Sequence, residues 1–202
     1  MVVCKRLLSA SLKLPTVCSL ISNAERRCPM EILENAKAWK QRYEERVIQP
    51  YRQTGEFDFI NYKFAKNEGS PIGKGISLNT ARLLLISSSG AYQPGKQEPF
   101  DAENPLGDYS IREITTGADL EEISYAHEHY DHTYVNQDPG VLIPLMDLKM
   151  KVKKGELGSL TSRWVSFMGY QPDAYRVANE TTPAVIEAAR ELHATAALLV
   201  PA

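Results

Sequence analysis

Three of the four histidines in this chain fall within six residues, in His127-Glu128-His129-Tyr130-Asp131-His132. Imidazole is the commonest metal ligand and the side chain that titrates nearest neutral pH, so the cluster points to a metal site or to proton handling. In an extended segment His127, His129 and Asp131 would share one face and His132 the other. In a tight loop all four could converge. Neutral imidazoles beside a carboxylate suit Zn²⁺ or Fe²⁺. His127, His129 and His132 are therefore candidate metal ligands, and with Asp131 they are the candidate catalytic residues. The plainer alternative is a polar loop whose histidines hold backbone carbonyls or carboxylates.

The H-x-H-x-D-H spacing is similar to that of the metallo-β-lactamase superfamily, which would imply a metal-dependent hydrolase. That motif normally runs on into small glycines and a helix, and a further histidine ligand follows at a strand end. Here Thr133-Tyr134-Val135-Asn136 follows, and the one later histidine, His193, lies at the end of an expected helix. A hydrolase is thus the alternative reading rather than the leading one.

A second candidate site is Ser87-Ser88-Ser89-Gly90. It follows Ala81-Arg82-Leu83-Leu84-Leu85-Ile86, a continuous apolar run that reads as a buried, parallel strand. Ligands in open α/β sheets bind at the carboxyl ends of strands. The hydroxyls and peptide N–H groups could hold a carboxylate or phosphate; a plain Ser/Gly loop is the other reading. Trp164, Phe167, Met168 and Tyr170 surround Gly169 and read as core packing or as a pocket wall.

The elements that would position these groups alternate. Residues from Pro29 to about Pro50 carry apolar side chains at three- and four-residue steps (Ile32, Leu33, Ala36, Trp39, Tyr43, Val47), which predicts a helix ended by Pro50. Residues 51–80 are aromatic-rich without a period, and Gly69 to Gly75 mark a loop. Ser110 to Ile114 alternates as a second strand. Leu145 to Lys154 predicts a helix stopped by Gly155. Thr182-Pro183 predicts a helix start, Thr at the cap and Pro at the first position, running to about His193. Ala196 to Val200 is a further apolar strand. This order predicts an α/β fold, an open and mainly parallel sheet with flanking helices over residues 76–202, preceded by a helical and connecting segment at 30–75.

Composition bounds the partners. A net charge of -2 gives no electrostatic reason to expect nucleic acid or an anionic membrane surface. No apolar run reaches the ~20 residues of a membrane span. Cys4, Cys18 and Cys28 are odd in number and confined to the first 28 residues, with no C-x-x-C, so a reduced, cytoplasmic setting is expected. Residues 1–29 read as a poorly structured arm, with Met30 as an alternative translation start.

The second half carries a more specific string. Asp108-Tyr109-Ser110-Ile111-Arg112 precedes the histidine block. Asp138, Val141 to Pro144, Asp147-Leu148, Gly155-Glu156-Leu157-Gly158-Ser159-Leu160 and Ser166-Phe167-Met168-Gly169-Tyr170 follow it. From about Leu83 to Ala202 the chain resembles the selenoprotein B family of the glycine/sarcosine/betaine reductases and the related D-proline reductases. The resemblance implies reductive cleavage of an amine from a small amino-acid-like substrate. A selenocysteine or cysteine attacks the carbon α to a carboxylate, as a nucleophile whose anion forms readily at neutral pH. Ser87, Ser88, Ser89, Gly90 and Ser166 are the expected substrate-binding residues, and the histidine block would line the active-site loop and hold a metal or act as the acid that protonates the leaving amine. The resemblance also implies partner subunits of a reductase complex or self-association.

In the family the nucleophile follows a strand corresponding to Ala196–Val200, where this sequence reads Pro201-Ala202. The expectation is that a UGA codon follows Ala202 and that the chain alone is inactive. A non-catalytic subunit or degenerate homologue is the further alternative.

Overall fold

The computed structural model describes residues 2–4, 33–69 and 75–202. Most of the expected 1–29 arm, the Met30 start, the Pro29 helix opening and Cys18 and Cys28 lie outside the described residues. In chain order the strands are β1 (Val2–Cys4), β2 (Arg82–Ser87), β3 (Ala91–Tyr92), β4 (Ile111–Thr115), β5 (Ser124–Tyr125), β6 (Ser159–Leu160), β7 (Arg163–Phe167) and β8 (Ala196–Val200). The helices are α1 (Ala36–Tyr43), α2 (Gln49–Thr54), α3 (Thr133–Gln137), α4 (Leu145–Lys153), α5 (Ala174–Arg176) and α6 (Thr182–Glu191).

The main sheet runs β1-β8-β2-β7-β4, with β6 also on β2. β2 pairs in parallel with β6, β7 and β8, while the outer strands β1 and β4 pair antiparallel. The fold is therefore the expected α/β class, with its most apolar strand at the centre. Alternation along β2 divides two cores. Leu83 and Leu85 join Trp164, Ala196, Leu198, Ile114 and the α4 residues Leu145 and Leu148 on one face. Leu84 and Ile86 join Val165, Ala197 and the α6 residues Ala188 and Ala189 on the other. Each such fully buried aliphatic side chain contributes about 1.5–3 kcal/mol, so a one-residue slip of β2 would invert both cores.

Register places the site. Leu83 is opposite Leu160, but Ile86 is opposite Val165. Two residues of β2 thus face four on the other side, a bulge in which Thr161 N–H and Oγ1 both donate to the Leu83 carbonyl. The bulge sets Ser87 directly beside Ser166.

Two helices depart from the sequence expectation for one shared reason. The first does not end at Pro50. α1 passes through a π-helical turn, Glu44–Ile48, into α2, which ends at Gly55. The second does not start at Thr182. It starts at α5, where the Asp173 carboxylate accepts from the Tyr175 and Arg176 N–H groups, and passes through a π turn, Val177–Thr181, into α6. In each case the residue before the proline, Gln49 or Thr182, donates to a carbonyl five residues back, Glu44 or Val177. A proline ring clashes with the carbonyl four residues back in an α-helix. The wider turn moves that carbonyl aside, so the helix continues.

α1 and its π turn bury Trp39, Tyr43, Val47 and Ile48 against Phe57, Tyr62, Leu106 and Ala174. Lys40 on α1 pairs with the buried Asp173 carboxylate, and Tyr62 Oη donates to the Pro172 carbonyl at 3.0 Å. The N-terminal helix is thereby fastened to the start of α5. Among the described residues, no helix is long and apolar enough to cross a membrane.

Candidate functional site

The carboxyl ends of β2, β7 and β8 point the same way because these strands are parallel. Three loops meet there. Ser88 N–H donates to the Val200 carbonyl of β8 at 3.1 Å, Gly90 N–H to Phe167 at 2.9 Å, Gly169 N–H to Ser88 at 3.0 Å and Ala126 N–H to Gly90 at 2.9 Å. The serine loop is thus stitched to the Phe167–Tyr170 loop, to the end of β8 and to the strand that leads into the histidine block. Ala202 N–H donates to Ser88 Oγ at 2.8 Å, so the residues after β8 enter the same place.

Gly90 makes this approach possible. Its φ is 67°, and a Cβ there would sit 2.5 Å from the Ala126 carbonyl oxygen. Gly169 has the complementary role of an exposed, side-chain-free floor. A Cβ on Gly169 would lie 3.0 Å from His127 Nε2 and 3.3 Å from Ser88 Oγ.

The histidine block folds as a tight loop around His127, which is 5% exposed. His127 Nδ1 accepts from the His129 N–H at 3.1 Å, so the neutral ring carries its proton on Nε2. His132 Nε2 donates to the His127 carbonyl at 2.8 Å. Asp131 Oδ1 accepts from Thr133 N–H and Thr133 Oγ1, at 2.8 and 2.6 Å, and so opens α3. Burial above all, then the neighbouring His129 and His132, lowers the His127 pKa to about 4. The hydrogen bonds from Thr133 hold the Asp131 carboxyl below its ordinary range.

The sequence-derived candidates therefore separate into groups. His127, Ser88 and Gly90 meet at the strand ends. His129 leans outward, its ring stacked on Tyr170 at 3.9 Å between centroids. His132 and Asp131 brace the loop's own backbone. Among the described residues no group of three or more His, Cys, Asp or Glu side chains is placed to hold a metal ion. In this arrangement His127, His129 and His132 do not fit a metal as a set.

Ser87, Ser89 and Ser166 are fully buried, and their hydroxyls have no hydrogen-bond partner among the described residues. Alternation puts Ser87 and Ser166 on the face of Leu85 and Trp164. They line the strand ends from beneath.

The sequence does not single out Tyr130, and it reads Tyr170 only as core packing or a pocket wall. Tyr130 Oη donates to the Ser89 carbonyl at 3.0 Å, and its ring lies 4.9 Å from His127 and 4.5 Å from His132. Tyr170 Oη donates to the Pro105 carbonyl at 2.9 Å while its ring carries His129. Both sit inside quoted motifs, but nothing in a single sequence marks which aromatic ring will join two loops.

Comparison with known proteins bears on the family of the chain. The family model for glycine/sarcosine/betaine reductase selenoprotein B matches residues 53–200. The D-proline reductase subunit gamma of Acetoanaerobium sticklandii is 25% identical over 130 residues, which cover 64% of this chain and 51% of that protein. The chain thus spans about half the length of the curated relative it matches. No solved structure matches.

Proposed function

Because the chain belongs to the glycine/sarcosine/betaine reductase selenoprotein B family, we propose that it is a component of a reductase that cleaves an amine from a small amino-acid-like substrate. Its relative is named as a subunit of D-proline reductase, which supports a role inside a multi-subunit enzyme. The observation that carries the reading is the convergence of the serine loop, the histidine loop and the Phe167–Tyr170 loop at the carboxyl ends of β2, β7 and β8.

The reaction asks for two things at one place. The substrate carboxylate must be held, and the carbon next to it must face a selenol or thiol nucleophile that displaces the amine. Of the expected binding residues, Ser88 carries a hydroxyl reached by the residues after β8 and suits the first, while Ser87, Ser89 and Ser166 lie buried beneath it and the Ser88 and Gly90 N–H groups are taken by the Val200 and Phe167 carbonyls. The approach of the residues after β8 to Ser88 Oγ supports a place for the second. A nucleophile carried just past Val200, or brought to that point by another subunit, would reach a substrate bound over the serine loop. The cation-disfavouring surroundings of His127 make it a neutral hydrogen-bond donor at pH 7. The acid for the leaving amine is then better sought at the exposed His129, because His132 Nε2 is taken by the His127 carbonyl.

Calorimetric titration of the full chain with glycine, sarcosine, betaine and D-proline tests this reading. Saturable binding of at least one, lost in the corresponding amine without a carboxylate, supports it. Absence of binding for all four at millimolar concentration removes the chain from the substrate-handling part of such an enzyme.

A further inference from the structure

We propose that the exposed aromatic segment at residues 59–64, with the three cations Arg42, Arg46 and Lys63 beside it, is the docking surface for a different protein chain that presents carboxylates around an apolar centre. The surface lies outside the amino-acid site, and its assignment rests on the reading of the chain as one component of a larger enzyme.

The apolar half is a group and not a scatter. Phe59, Ile60 and Phe64 are 60, 88 and 77% exposed. A single exposed hydrophobic side chain is ordinary, whereas a contiguous set marks an interaction site. The rings show the continuity. Phe59 lies 4.7 Å from Phe57, Phe57 6.2 Å from Tyr62, and Tyr62 5.2 Å from Phe64, between centroids. Phe57 and Tyr62 pack inward against the buried Trp39 and Tyr43 cluster. The segment is thus anchored by its inner rings and holds the outer ones in solvent.

The charge beside it is unmatched. Arg42, Arg46 and Lys63 border one cleft together with Trp39, Val47 and Asn61. None of the three cations has an ion pair among the described residues. Glu44 is paired with Arg52, Glu45 accepts from Gln41, and the Asp58 carboxylate is bound by the Ile60 N–H and by Asn61. Residues 36–66 carry seven Lys and Arg against four Asp and Glu, in a chain whose net charge is -2. Arg42 and Arg46 stand four residues apart on one continuous helix, a spacing at which like charges repel. An approaching carboxylate reverses that cost.

These two halves choose the occupant. Phenylalanine and arginine are side chains that protein interfaces concentrate, the first as an apolar anchor and the second as a fork for carboxylates. A second copy meeting this face with the same face would set the three cations against themselves. A chain whose Asp or Glu side chains flank apolar ones satisfies both halves at once. The position also fits a component that works with another. Phe59 lies 6.4 Å from the Tyr170 ring, which carries His129 at 3.9 Å. A chain docked on Phe59 stands at the rim of the strand-end site, the place to which another subunit would bring the nucleophile.

The test is photo-crosslinking in the native host, with benzoylphenylalanine in place of Phe59 or of Phe64 in the full chain and the joined peptides identified by mass spectrometry. The expected product, from both positions, is a peptide of one different chain with Asp or Glu among its apolar residues. Its yield is expected to fall about tenfold in the double variant Arg42→Glu, Arg46→Glu and by a smaller factor in Arg46→Gln, with the thermal midpoint unchanged. If the double variant shifts the midpoint, Arg46→Gln decides alone. Joining to a second copy of this chain, joining to lipid, no adduct at either position, or a yield indifferent to the charge changes would each overturn the proposal. The amino-acid titration reads the strand-end site separately, so failure of the docking surface leaves that reading standing.

Discussion

The phenol of Tyr130 donates to the Ser89 carbonyl and thereby ties the histidine loop to the serine loop. Tyr130→Phe keeps the ring against His127 and His132 and removes only that bond. The expected cost is about 1 kcal/mol in urea denaturation. Amino-acid affinity should also fall, because Ser88 is then less well placed. Unchanged stability and affinity together would show that the tie does nothing.

Acid should destabilise the fold through His127. Its folded-state pKa is depressed to about 4, first by burial and then by His129 and His132, against the 6.5 of an exposed imidazole. The unfolded chain therefore binds a proton between those values and the folded chain does not. The stabilisation is fully present above pH 6.5 and is lost as pH falls from there toward 4. The gap corresponds to about 3 kcal/mol at most. Denaturation midpoints from pH 7.5 to 4 should show this slope in the wild type and a shallower one in His127→Gln. Parallel slopes would assign the acid sensitivity to other groups.

Gly90→Ala should cost more stability than Gly169→Ala. Gly90→Ala forces a side chain into a left-handed φ and against the Ala126 carbonyl oxygen, which should cost more than about 2 kcal/mol. Gly169→Ala has an ordinary φ, but its Cβ would press on His127 Nε2 at 3.0 Å and on the Ser88 carbonyl at 3.2 Å, so a smaller loss is expected. Equal destabilisation of the two in thermal melts would contradict this ranking.

Asp173 joins the N-terminal helix to α5. It is 5% exposed, caps the Tyr175 and Arg176 N–H groups and pairs with Lys40. Asp173→Ala should cost about 2–3 kcal/mol through the lost cap and ion pair. Hydrogen exchange should show α1 opening first. A loss confined to α6, with α1 still protected, would contradict the coupling.

The central strands were legible because β2 and β8 are continuous apolar runs, the pattern a sheet buried on both faces demands. The stop of α4 before Gly155, with its φ of 74°, was legible from the glycine itself. The prolines misled. Pro50 and Pro183 are breakers in an α-helix, and only a π turn, which leaves no composition signature, lets each helix pass. Asp173 was a readable cap obscured by the stronger Thr-Pro pattern nine residues on. The two-residue strands β3 and β5 are too short to carry any period.

For the site, the histidine spacing drew attention to the loop but could not say which ring turns inward. That depends on which backbone groups His132 and Asp131 satisfy. The pairing of Ser87 with Ser166 depends on a bulge at Thr161, 78 residues from its β2 contact Leu83, which only register reveals.

The most direct test of the account is where an amino acid perturbs the chain. A heteronuclear NMR titration of the full chain with glycine and D-proline would follow backbone amides and the His127 ring. The account predicts saturable shifts concentrated at Ser87–Gly90, Phe167–Tyr170 and His127. Shifts confined to other surfaces, or none at millimolar ligand, would contradict it.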